Sequence, residues 1–185
     1  MPILGITASS ILKVTSSYES IASFTAAGGE TSFTFSSIPQ TYASLQVRCF
    51  LRRNTTGAAN MGFRPNNDTS TASYTRHSLI GNGATVSAAG SSTGTYSYTQ
   101  NFVTVPGTTS GAYAGQIWDI LDYASTTKYK TFRSFAGYDA NGSGEVGLNS
   151  NLWLSTSAIT SLVVYFAGDA VDAGSTFALY GIKGA

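Results

Sequence analysis

Apolar residues along the chain recur mostly with a period of two, β-branched and aromatic types dominate them, and Gly, Asn or Ser clusters interrupt the runs at short intervals. Alternation of that kind puts successive side chains on opposite faces of an extended strand, so it predicts an antiparallel β protein. The segments 20–26 (SIASFTA) and 31–36 (TSFTFS) flank Ala27-Gly28-Gly29-Glu30 and read as a first hairpin, with Phe33 and Phe35 on one face. Pro39 then breaks the pairing. In 43–53 (ASLQVRCFLRR), Leu45, Val47, Cys49 and Leu51 share one face, and Gln46, Arg48, Phe50 and Arg52 the other.

Further strands are predicted over 62–66, 73–80, 101–105 and 112–123. Between Gly81 and Thr99 the chain is rich in Gly, Ser, Ala and Thr, which reads as a long surface loop or a weak hairpin. Four clearer strands follow, over 128–138, 145–154, 159–167 and 175–182, separated by turn-forming segments. Only 3–14 and 118–124 have any helical reading, and neither carries convincing caps. Some ten strands of this length suit a two-sheet, jelly-roll-like antiparallel sandwich, with a single closed barrel as the structural alternative.

The 185 residues fit one domain over 18–185, preceded by an extended arm over 1–17. Pro2, Ile3, Leu4, Ile6, Ile11, Leu12 and Val14 make that arm too apolar to stay in water, so it is expected to pack on something else. No positive charge precedes its first apolar residues, which makes it a poor secretory signal and predicts synthesis in a cytoplasm. No later run approaches the length needed to cross a bilayer.

Only 10% of the residues are charged and the net charge is +1, against about 25% charged in ordinary domains. The surface must therefore be built from hydroxyls and amides. A nucleic-acid partner and electrostatic membrane anchoring are both disfavoured, because neither finds a basic stripe. The 11 Tyr, 10 Phe and 2 Trp argue against disorder and for a real core. Cys49 is the only cysteine, so an internal disulfide is excluded and a structural zinc site lacks ligands.

Candidate chemistry is sparse, and no catalytic, cofactor or metal residue is assigned. His77 is the only histidine and lies in a strand-like run without the Gly-x-Ser-x-Gly elbow of a serine nucleophile. Of the nine acids, only Asp119 and Asp122 sit inside an apolar run, where Trp118 reads as a core residue at a strand end. The stretch 139–145 has alternating oxygen-bearing side chains and Gly in sixth place, as calcium loops do, but Ser150 replaces the bidentate acid; a hairpin loop explains the same residues. No phosphate-binding loop occurs.

The segments 20–26 and 31–48 (TSFTFSSIPQTYASLQVR), with 159–166 (ITSLVVYF) and 174–183 (GSTFALYGIK), resemble small virion proteins of tailed bacteriophages. That resemblance implies a β-sandwich that forms homotrimers, needs no cofactor, and serves as a decoration or cement protein on the outer capsid surface. Its partners would be its own copies and the major capsid protein, with the arm docking on the capsid lattice. The same fold also ends tail fibres and tailspikes, so the alternative is a module that recognises host-surface carbohydrate, with Tyr96, Tyr98, Tyr113 and Trp118 as stacking candidates. A single compact domain, a neutral surface and an apolar arm favour the cement role.

Overall fold

The computed structural model describes residues 17–54, 60–99, 111–168 and 170–184. The arm residues Pro2 to Val14, all of 101–105 and the possible helix over 3–14 lie outside them. The described chain forms twelve strands: β1 (Tyr18–Thr25), β2 (Ser32–Phe35), β3 (Ser44–Leu51), β4 (Met61–Pro65), β5 (Tyr74–Gly81), β6 (Val86–Ser91), β7 (Ser97–Thr99), β8 (Ala114–Leu121), β9 (Lys130–Asp139), β10 (Gly144–Trp153), β11 (Leu162–Phe166) and β12 (Thr176–Ile182). They make an antiparallel two-sheet sandwich. The large sheet runs β1-β12-β3-β8-β9-β10-β5-β6 and the small one β2-β11-β4-β7.

The alternation read from the sequence becomes the division between core and surface. Along β3, Leu45, Val47, Cys49 and Leu51 are buried while Arg48 and Phe50 face outward. The two sheets meet through aromatic rings: Phe63 of β4 packs edge-on against Trp118 of β8, with centroids 4.8 Å apart, and lies near Phe132 of β9. Rings set edge to face gain about 0.5–1.5 kcal/mol beyond their buried area, so this trio fixes the sheets' relative placement as well as filling the core.

The expected first hairpin is not formed. β1 pairs with β12 in the large sheet and β2 with β11 in the small one, so Ala27–Glu30 is a corner between sheets. Positive φ at Gly28 (104°) and Gly29 (93°) turns the chain out of the first sheet. The Glu30 carboxylate accepts the Ala27 and Gly28 amides, at 2.8 and 2.9 Å, and this holds its pKa below the ordinary range. Phe24 and Phe33 then face each other from different sheets, stacked at 3.9 Å. Alternation identifies a strand's buried face but not its partner.

The stretch 81–99 contains two strands. β6 is exposed along nearly its whole length and continues the large sheet from β5, which is why no apolar alternation marks it. β7 pairs with β4 at the edge of the small sheet. Residues 118–121 are strand, not helix, and Asp122 at φ 54° ends it. The 139–145 segment is a hairpin turn: Asn141 (φ 57°) and Gly142 (φ 107°) both take positive φ, as a type I′ turn requires, while the Asp139 side chain accepts the Asn141 amide at 2.8 Å.

Candidate functional site

The outer face of the large sheet is where the described surface departs most from a hydroxyl-rich skin. Register places Ile117, Phe135, Leu148 and Leu79 directly opposite one another on β8, β9, β10 and β5. Paired residues in an antiparallel sheet point to the same side, so these four form one continuous ridge across four strands. They are 43%, 55%, 54% and 50% exposed, although their chemistry is that of a core. Scattered surface apolar residues are ordinary, but a contiguous row marks a contact surface.

Two further rows flank the ridge. On one side Gly115, Gly137, Val146 and Gly81 lie in register, a shallow trough at the three glycines that the Val146 side chain interrupts and that Phe50 and Val86 bound at its ends. On the other side run Asp119, Arg133, Ser150 and His77. Between the ridge and this polar row the sheet leaves a concave cleft of about 870 Å³, with an apolar floor and a thin polar rim.

The polar row is not arranged for catalysis. Arg133 and Asp119 form a loose, exposed ion pair at 3.9 Å, a geometry worth little in water. His77 is exposed and its ring lies across Gly90, where an added Cβ would be 3.3 Å from it. Asp119 and His77 stand three strand spacings apart in the same row, about 14 Å between backbones, so no hydrogen bond links them. Among the described residues no group of three or more His, Cys, Asp or Glu could hold a metal ion. Cys49 is buried in the core, and burial pushes its thiol well above the ordinary range, so it stays un-ionised.

The four stacking candidates are not brought together. Trp118 is fully buried, with its indole N–H donated to Gln116 Oε1 at 2.9 Å, and so it leaves the set of surface residues. Its neighbours alternate correctly for a central strand, and the inward register decides its place. Tyr113 stacks on Phe50 at 4.9 Å beside the large sheet. Tyr96 and Tyr98 lie on the small sheet with Tyr165; the Arg76 guanidinium sits 4.3 Å from the centre of the Tyr98 ring and that of Arg64 5.7 Å from the centre of Tyr96. A ring face occupied by arginine is not open to a sugar.

Sequence reasoning did not find the ridge. Its residues are separated by up to 69 positions, and each alone looks like an ordinary outward-facing apolar residue; only strand order and register assemble them. The chain matches no protein-family model and no curated protein.

Proposed function

We propose that this chain is a structural protein without enzymatic activity, a decoration protein of a tailed-phage virion that binds through protein-contact surfaces. The observation that carries the reading is the exposed ridge of Ile117, Phe135, Leu148 and Leu79, set in a nearly uncharged, hydroxyl-rich surface. Apolar area on this scale favours burial against protein, since the hydrophobic term is roughly 25 cal/mol per Å². The cleft's exposed lining is largely apolar, with Asp119, Arg133, Ser150 and His77 along one side. Virion membership rests on the resemblance of the first and last strands. Threefold association and docking of the arm through Pro2 to Val14 belong to the same reading, and a neutral skin suits many copies on one shell because like charges would otherwise repel.

Copy number per purified particle tests the location. Hundreds of copies support a capsid decoration role, whereas a few to a few dozen place the chain in a tail and favour the carbohydrate-recognising alternative. Deleting Met1 to Ser16 should leave a folded protein that no longer decorates capsids. Full occupancy of expanded heads by the truncated chain would remove the arm from the mechanism.

A further inference from the structure

The rows on the outer face of the large sheet are complementary to each other. On β9 the outward residues read Arg133, Phe135, Gly137, Asp139: cation, knob, hole, anion. On β8 Ile117 is two residues from Gly115, and on β5 Leu79 is two residues from Gly81. Because the strands are antiparallel and in register, all three glycines fall on the same side of the ridge. β10 alone breaks the pattern, with Leu148 beside Val146, and that pair is apolar on both sides.

We infer that this face binds a second copy of itself about a twofold axis that crosses the strands between the ridge and the glycine trough. The inference rests on reading the face as a protein-contact surface. A rotation about such an axis lays each ridge into the other copy's trough. Phe135 meets the partner's Gly137, Ile117 the partner's Gly115 and Leu79 the partner's Gly81. The same operation carries Arg133 to the partner's Asp139, and each contact occurs twice, as an isologous interface requires. Sheets packed face to face lie about 10 Å apart with strand directions within about 30°, and neighbouring same-face residues on a strand are about 6.8 Å apart, so a ridge of one row fits a trough of one row.

Two features point to a second copy over another occupant. The first is the glycines. A Cβ added at Gly115 would meet nothing within 4 Å, and one at Gly81 only a Val146 methyl at 3.9 Å. Glycine inside a strand costs about 0.5–1 kcal/mol relative to alanine, and the subunit itself gives no reason for it at these two positions. Close approach of another chain does. The second is size and charge. The ridge, with Val146, Val86 and Phe50 around it, presents on the order of 600 Å² of exposed apolar side chain, near the 800 Å² per partner of a stable interface. Along β9 one cation and one anion stand symmetrically about Ala136, and Arg48 beside Ile117 and Asp119 beside Arg133 add one charge of each sign to the face, a balance that suits a copy of itself more than a partner of single sign.

The test is the mass of the full chain in solution, by sedimentation or light scattering. An even number of chains is expected: two, or six if a threefold contact is also present. Gly115→Phe should keep the circular dichroism and melting temperature of the parent while halving the particle mass. Arg133→Asp and Asp139→Arg should each weaken association at least about tenfold, and the double variant should recover it. Asp139→Arg also removes the hydrogen bond to the Asn141 amide, a loss that Arg133→Asp cannot repair, so recovery isolates the contact between copies. A single-chain mass at roughly 100 μM, above the micromolar-to-picomolar range of specific interfaces, or a mass unmoved by Gly115→Phe, overturns the pairing. If pairing is absent but Gly115→Phe abolishes decoration of particles, only the twofold inference falls. If neither mass nor decoration moves, the contact-surface reading falls with it.

Discussion

Lys130 is fully buried at the start of β9, and its ammonium is held by main-chain carbonyls, with no acid of the described residues in hydrogen-bonding reach. It donates to Ser125 O at 2.6 Å, Lys128 O at 2.7 Å and Thr156 O at 2.9 Å, with Ser155 O at 3.4 Å sharing the third proton. Those oxygens belong to the connection from β8 to β9 and to the one leaving β10, so one side chain ties two loops together. Lys130→Met keeps the packed stem and removes the ammonium. Each hydrogen bond to a charged donor contributes about 1.5–3 kcal/mol. The variant is spared the cost of burying a charge, which offsets several kcal/mol. Carbonyls left without a donor inside the protein then dominate; at about 1–3 kcal/mol for each unsatisfied acceptor, less that offset, the net loss is about 3–5 kcal/mol. At 2–4 °C per kcal/mol for a chain of this size, the melting temperature should fall by about 6–20 °C. Urea unfolding followed by tryptophan fluorescence reads it directly, because the Trp153 ring lies 6.0 Å from the Lys130 nitrogen. A loss under about 1 kcal/mol at unchanged m would refute the idea that this ammonium organises the two loops.

Gly62→Ala should destabilise the domain by more than the usual ~1 kcal/mol of a surface change, since its Cβ would lie against the Ser97 carbonyl oxygen, well inside van der Waals contact, and β7 would have to leave β4; hydrogen exchange confined to the β7 amides is the expected signature. Burial alone would raise the Asp68 carboxyl, but hydrogen bonds from the Ser70 hydroxyl, the Trp153 indole at 2.7 Å and the Ser70 amide at 2.8 Å outweigh it and hold its pKa below the ordinary range. The unfolded chain therefore takes up this proton near pH 4 while the folded chain does not, so the contribution of Asp68 is present above that pH and is lost as pH falls through the lower folded value. Acid unfolding of Asp68→Asn should show a flatter limb below about pH 4, and an identical acid profile would contradict the assignment.

The strands with alternating burial were legible because an antiparallel sandwich writes its inner face directly into the sequence: Leu45, Val47, Cys49 and Leu51 fall where the period of two puts them. Trp118 follows the same rule into the core. What the sequence withheld was partnership. Phe24 and Phe33 look like the two sides of one hairpin because both alternate correctly around a glycine turn, yet their strands belong to different sheets. β6 was hidden for another reason: five of its six residues are exposed, so no burial signal marks them. The ridge and trough are an extreme case. Each glycine sits two residues from its bulky neighbour in plain view, but the row exists only after four strands are aligned.

The position of β12 between β1 and β3 has a consequence for how the chain reaches this state. Neither neighbour completes its backbone ladder until residues 176–182 have been synthesised. Pairing Tyr18 with Ile182 closes a loop over every other described strand, and non-local pairings of this kind make folding slow. On the ribosome, β1 and β3 wait with open edges, the condition under which nascent β proteins aggregate. The meander from β8 to β10, whose pairings are local, is free to form first and offer β3 a template on one side. Loss of residues 176–182 would thus do its damage during synthesis, by leaving a gap in the middle of a sheet instead of shortening its edge.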